Sequence, residues 1–191
     1  MIQFNGYLHE YKDGNKIIPS VTQVLSGVGL VDFSQISSST LEYAAERGKM
    51  VHLITELYDR DELDISSVDP QLLGYFTGYL KFLEDYKIKE FTAIEKLVYS
   101  KKLGYAGTLD RKAVLSTGLK LLYDIKTGVK HPAHGLQLTA YELADGEKQD
   151  QLGCVYLSAD GGYQFEPYQR CVSGWLAALS LHKWKQQNKV I

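Results

Sequence analysis

The sequence has little of what marks a secreted or membrane protein. Its 191 residues hold two cysteines, Cys154 and Cys171, whose spacing suits neither a disulfide framework nor a zinc cage. No apolar run approaches the roughly 20 residues that a membrane-spanning helix needs. The opening "MIQFNGYLHEYKDGN" carries early acidic residues and no apolar core of a signal peptide. A reducing, cytoplasmic location, as in a bacterial or phage-infected cell, is the expectation. There is no internal repeat, no low-complexity tract and no linker, so residues 1–191 are expected to form a single domain. No G-x-x-x-x-G-K-[ST] loop is present, and no glycine-rich cradle precedes a helix. Motor ATPases and enzymes of small phosphorylated metabolites are disfavoured on that ground. A net charge of −2 excludes a uniformly basic coat.

What is there is ordinary in bulk and uneven in detail. Hydrophobic residues make up 45% and charged residues 23%, enough for a full core in one soluble domain. Residues 96–130 hold eight Lys or Arg against Asp110 and Asp124, a local net of +6 that leaves −8 for the remainder. Such a zone on an acidic body suits a site that meets an anion in one place. It suits equally a set of strands edged with solvated lysines.

Residues 19–90 read as mainly helical. Up to about Lys16, short strands turn at "KDGN"; in "PSVTQVLSGVG" Ser20 can cap a short helix that Gly27 and Gly29 end. "STLEYAAERGKMVHLITELY" is the strongest helix, with Ser39 and Glu42 spaced as a capping box. Leu41, Ala45, Gly48, His52 and Thr55 recur at helical spacing with Val51, Ile54 and Leu57 beside them, so both sides look largely buried. A third helix is expected from Asp69 as cap and Pro70 as first residue. Residues 91–191 then change pattern. "FTAIEKLVYS", "GYAGTLDRKAVLS" and "GLKLLYDIKTG" read as consecutive strands, "HPAHGLQLTAYELA" as a helix, "QLGCVYLSADGGYQFEPY" as a hairpin and "QRCVSGWLAALSLHKWKQQ" as a closing helix. The fold class is α/β, a mixed central β-sheet flanked by helices.

The chemistry gathers around "LLYDIKTG". Strand alternation puts Asp124 and Lys126 on one face and Tyr123 and Ile125 on the other. An acid-x-Lys triplet alone is weak, because Glu10-Tyr11-Lys12 and Asp85-Tyr86-Lys87 repeat it elsewhere. Asp110 adds to it: if the strands form a hairpin, Asp110 meets Asp124. Two adjacent carboxylates repel unless a cation lies between them, and oxygen ligands favour Mg²⁺ or Mn²⁺. Lys126 beside them can orient or help deprotonate a water, or offset charge growing on a phosphate.

"GTLD…YDIKTG…QLTAY" resembles the PD-(D/E)-x-K nuclease superfamily in its RecB-like exonuclease branch. Asp110 matches the motif-II acid, Asp124 and Lys126 the D-x-K pair, and Gln137 and Tyr141 the Q-x-x-x-Y pair. "GKMVHLITE" matches a helical motif of the form G-x-x-x-H-x-x-x-E through Gly48, His52 and Glu56. "PSVTQVL" is similar to the opening of the mitochondrial genome maintenance exonuclease and of phage-type exonucleases. Leu109 stands where the motif's proline would be, and the paired cysteines of iron–sulfur members are missing. The resemblance implies a restriction-endonuclease-like core and a metal-dependent nuclease acting on single-stranded or end-bearing DNA in replication, recombination or repair, with a recombination or replication protein as a further partner. It implies metal ligation by His52, Asp110, Asp124 and the carbonyl of Ile125, and a catalytic role for Asp110, Asp124, Lys126 and Glu56, with Glu56 orienting His52 or a water. Without the resemblance, His52 reads as a packed core residue and Glu56 as a surface acid. Substrate contacts are expected from Gln137, Tyr141, Arg47, Lys102 and Arg111, with Lys101, Lys112 and Lys130 as further phosphate contacts and Tyr105 as the nearest stacking aromatic. A structure-specific endonuclease and an inactive nucleic-acid-binding module stay open as alternatives.

Overall fold

Alternation along the strand Lys120–Lys126 decides how the layers assemble. Leu121, Tyr123 and Ile125 go to one face, while Leu122, Asp124 and Lys126 go to the other. Each face is covered by its own helices, which is why the strand is buried nearly throughout despite two charges. The computed structural model describes residues 2–6, 8, 10–32 and 36–190.

A small antiparallel sheet comes first, β1 (Ile2–Asn5), β2 (Glu10–Asp13) and β3 (Lys16–Ile18). Helices α1 (Val21–Gly27), α2 (Ser38–Asp59) and α3 (Leu73–Asp85) follow. The main sheet is β4 (Ile88–Ser100), β5 (Tyr105–Leu115), β6 (Lys120–Lys126), β7 (Gln151–Leu157) and β8 (Tyr163–Tyr168), hydrogen-bonded in that order. All its pairings are antiparallel except β6 with β7. That parallel pair needs a crossover, supplied by α4 (Ala133–Asp145), and α5 (Val172–Gln187) closes the chain.

Two cores share this sheet. On one face Val51 and Ile54 of α2 and Tyr75, Phe76, Tyr79 and Phe82 of α3 pack on Ala113, Leu121, Tyr123, Ile125 and Val155. On the other, α1, α4 and α5 supply Val21, Val24, Leu138, Tyr141, Trp175 and Leu179 against Tyr105, Leu109, Leu122, Cys154 and Tyr156. The small sheet docks on the first half of β5: Tyr11 and Ile18 pack on Ala106, and Tyr11 and Thr108 hydroxyls meet at 2.9 Å. The mixed sheet flanked by helices is thus the expected α/β class. Cys154 and Cys171 are free thiols. Among the described residues no helix is long and apolar enough to cross a membrane.

Local signals were followed in most places, with three corrections. Ser20 caps α1 through a full capping box with Gln23. Ser37, not Ser39, caps α2: its hydroxyl accepts the Thr40 N–H, and Ser39 is already helical, so the Ser39–Glu42 box does not form. Asp69 accepts the N–H of Gln71 in a turn, and α3 begins only at Leu73. Helix α2 is buried only at Val51, Ile54 and Thr55, so its two sides are not both covered. The reason is position: its exposed stretch walls a cleft.

Helix α3 lies so close to the β7–β8 turn that two of its positions admit no side chain. A Cβ on Gly74 would stand 1.8 Å from the Ala159 carbonyl oxygen, and one on Gly78 2.4 Å from that of Gly162. Gly74→Ala and Gly78→Ala should each destabilise the protein by roughly 1–3 kcal/mol in urea unfolding, as overpacking does. Gly128→Ala, where a Cβ meets open space, should leave the midpoint nearly unchanged.

Candidate active site

The site exists because the sheet splits. The β5–β6 ladder runs from Val114–Lys120 to Arg111–Tyr123 and stops there. Continued register would place Asp110 across from Asp124. At that point the Asp110 carboxylate, through Oδ2, accepts the Ile125 N–H at 2.7 Å, replacing the next ladder bond. Beyond it β5 continues with β4 to Tyr105–Ser100, and β6 continues with β7 to Lys126–Tyr156. The N–H and C=O of one strand residue project to the same side. The Ile125 carbonyl therefore also faces the split, where the β5–β6 ladder has ended.

A cleft of ≈530 Å³ fills this opening. Its walls include His52 and Glu56 from α2, Glu95 from β4, Asp110 from β5, Asp124 and Lys126 from β6, and Gln137 and Tyr141 from α4. Tyr141 reaches it because residue 107 is glycine: a Cβ there would be 2.5 Å from the Tyr141 ring. Gln137 donates its amide to the Tyr141 hydroxyl at 2.9 Å, an i,i+4 pair tied on one helix face.

His52, Glu95 and Asp110 offer ligand atoms within 4.8 Å of one another. His52 Nδ1 lies 3.5 Å from Asp110 Oδ2 and 3.7 Å from Glu95 Oε1. Burial would lower the imidazole pKa, but the charges of Asp110 and Glu95 outweigh it and raise it to about 9. Burial, and next the charge of Asp124, push the Asp110 carboxyl well up. Burial also opposes ionisation of Asp124, but the touching Lys126 ammonium outweighs it and holds that carboxyl low. For Lys126 burial is likewise overcome, here by Asp124 and Asp110, and its pKa rises. The cleft thus concentrates negative charge that the chain answers with an imidazolium and an ammonium. Oxygen donors with one imidazole are a set that Mg²⁺ or Mn²⁺ accepts.

Glu95 was not singled out from sequence. The signal for it was the four-residue "KKLG" turn, which fixes a β4–β5 register of Ile94 with Arg111 and Lys96 with Leu109 and so brackets Glu95 and Asp110 between the same two pairs. Lys49, one helical turn before His52, is a second cleft residue that sequence reasoning passed over. Phe4 is a third: it is 40% exposed on the cleft wall and stacks on Tyr11 with ring centroids 4.6 Å apart.

Several expected site residues have other duties. Arg111 is fully buried; its Nε meets Asp59 Oδ2 at 2.5 Å, so it cannot touch a phosphate. Breaking such a buried pair costs about 3–5 kcal/mol. Tyr105 is also fully buried, donating to the Ala140 carbonyl and packing edge-on against Trp175, so it cannot stack on a base. Arg47 donates to the Thr127 carbonyl and lies over the Tyr43 and Tyr75 rings, tying α2 to the end of β6 outside the cleft. Glu56 lines the cleft but pairs with Arg60 at 3.0 Å, and the carboxylates beside His52 are Asp110 and Glu95. Lys102 is exposed on the β4–β5 turn, away from the cleft wall. The basic run does not form a basic face: Lys96 and Lys112 pair with Asp145, Lys120 with Glu147 and Lys130 with Glu166.

No family model matches the chain, and no curated protein does. Among solved structures, the crystal structure of SSO0001 matches with 15% identity over 93% of this chain and 80% of that one, at a TM-score of 0.44.

His52 offers a direct check of this electrostatic arrangement. Its raised pKa means that its stabilising contribution is complete below about pH 6.5 and is lost as pH rises through about 9. In an NMR titration of the metal-free protein its imidazole should titrate near 9, and in Asp110→Asn it should move down towards 6.5. An unchanged midpoint would contradict the pairing.

Proposed function

We propose that the chain is a divalent-metal-dependent deoxyribonuclease with a restriction-endonuclease-like core, hydrolysing phosphodiester bonds of single-stranded or end-bearing DNA. The observation that carries this reading is the convergence of His52, Asp110, Asp124 and Lys126, from a helix and two diverging strands, in one cleft. That convergence is also what the PD-(D/E)-x-K resemblance requires, on the residues that carry its motifs.

In this reading His52, Asp110, Asp124 and the Ile125 carbonyl would hold Mg²⁺ or Mn²⁺. Bound there, the ion would polarise a phosphoryl oxygen and make water a better nucleophile. The chain's own residues do the rest. Asp110 and Asp124 fix the ligand geometry, Asp110 being oriented by the Ile125 N–H. The Lys126 ammonium stands where it can offset charge growing on a phosphate oxygen. The Tyr141 hydroxyl and the Gln137 amide line the same wall and can position the strand. Lys49 can meet a flanking phosphate.

End-labelled linear single-stranded DNA and a circular single strand, each with Mg²⁺ or Mn²⁺, test the reading. The linear substrate should be degraded and the circle spared. Asp124→Asn and Lys126→Ala should lower the rate at least about 100-fold in protein that remains folded, since electrostatic groups of this kind contribute on that scale. Cleavage of the circle would point to an endonuclease. Absence of cleavage with either metal, from folded protein, would rule the activity out.

A further inference from the structure

We infer that Glu95 is a working carboxylate of the cation centre, and that Arg111, buried behind it, is the positioning residue that holds it there. This rests on the metal-centre reading above and adds residues that the motifs do not contain.

The backbone gives the first reason. Four described non-glycine residues have positive φ: Asp61, Lys87, Glu95 and Lys189. Asp61, Lys87 and Lys189 follow the ends of α2, α3 and α5, where a left-handed residue is ordinary. Glu95, at φ +46°, lies inside a strand. A strand residue held in that region costs energy, so something around it must hold it.

Arg111 is what holds it. Its side chain is fully buried, and every guanidinium nitrogen is committed. Nε donates to Asp59. Nη1 donates to Glu95 Oε1 and to the Asp110 carbonyl, both at 2.8 Å. Nη2 donates to the Thr55 hydroxyl at 3.2 Å. Asp59 is anchored in turn by the Tyr79 hydroxyl at 2.6 Å, and Tyr79 meets the Tyr123 hydroxyl at 2.9 Å. A fixed chain of polar groups therefore runs from the α2–α3 core to the cleft and ends on the carboxylate of Glu95.

Neutralising Arg111 does not explain Glu95. Asp59 already supplies a buried counter-charge. The Glu95 side chain is 22% exposed to the cleft and reaches to 3.7 Å from His52. There it crowds Asp110 with like charge, which is unfavourable unless a cation shares them. A planar guanidinium fixed by its other partners presents one N–H to Glu95 in a set direction, as a flexible ammonium cannot. Arg111 is out of reach of any ligand, so it acts on the cation only through Glu95.

The test is Mn²⁺ titration of the full chain without nucleic acid at fixed pH, read by calorimetry and by the electron paramagnetic resonance spectrum of the bound ion. Glu95→Gln should weaken Mn²⁺ roughly 10- to 100-fold, and Arg111→Lys, which keeps the charge and loses the planar group held at several partners, about 10-fold with an altered bound-ion spectrum. Glu147→Gln, a surface acid outside the cleft, should bind as the wild type does. Should Arg111→Lys fail to fold, Thr55→Val removes one anchor of the same guanidinium and should shift the spectrum in the same direction. Wild type that binds Mn²⁺ together with a Glu95→Gln variant of equal affinity would overturn the inference and leave the metal centre standing. Loss in Glu95→Gln with no change in Arg111→Lys or Thr55→Val would overturn the positioning role. Wild type that binds no Mn²⁺ would overturn both the inference and the metal-centre reading.

Discussion

One hydrogen bond organises the molecule's chemistry: the Asp110 carboxylate takes the Ile125 N–H that the strand ladder would otherwise use. A side chain standing in for a backbone acceptor ends the β5–β6 pairing without leaving the amide unpaired, which matters because an orphaned buried N–H is costly. The strands can then part. The gap admits the ring of Tyr141 beside Gly107, frees the Ile125 carbonyl from the ladder, and lets α2 lower His52 over the opening. The same carboxylate is half of the acidic pair in the proposed mechanism. Opening the sheet and furnishing the site are one event.

That arrangement has an electrostatic consequence. Asp110, Asp124 and Glu95 converge where burial weakens the screening of like charges. The chain answers with cations of its own. His52 is raised to about 9, Lys126 leans on Asp124, and Arg111 braces Glu95 from the core. In the proposed mechanism His52 would serve as a neutral ligand and Lys126 would face the substrate. The buried Arg111–Asp59 pair fixes the guanidinium that meets Glu95, so it transmits geometry from the core to the cleft.

Much of the fold was legible because the local signals agreed with one another. Alternation in "GLKLLYDIKTG" and the Gly-rich turn within "QLGCVYLSADGGYQFEPY" marked the strands; helical spacing and Ser20 marked the helices. The misreadings came from competing local options. Ser37 outcompetes Ser39 as a cap when the helix starts one residue after it. Alpha2 looked buried all round because small residues, Ala45 and Gly48, line a cleft as readily as a core. At the site, His52, Asp110, Asp124, Lys126, Gln137 and Tyr141 could be picked out by motif, and they share one cleft. Arg111 and Tyr105 could not be sorted, since burial of a cation or a phenol depends on partners distant in sequence: Asp59 for one, Ala140 and Trp175 for the other. Glu95 was hidden for the complementary reason, an acid in a strand whose function depends on what lies across the ladder.

The central claim is that the split between β5 and β6 holds a divalent cation. Crystals grown with Mn²⁺ and measured for anomalous scattering test it most directly. The account predicts a peak in the cleft within coordination distance of His52, Asp110 and Asp124. No peak at saturating Mn²⁺, or a peak only at acids outside the cleft, would contradict it.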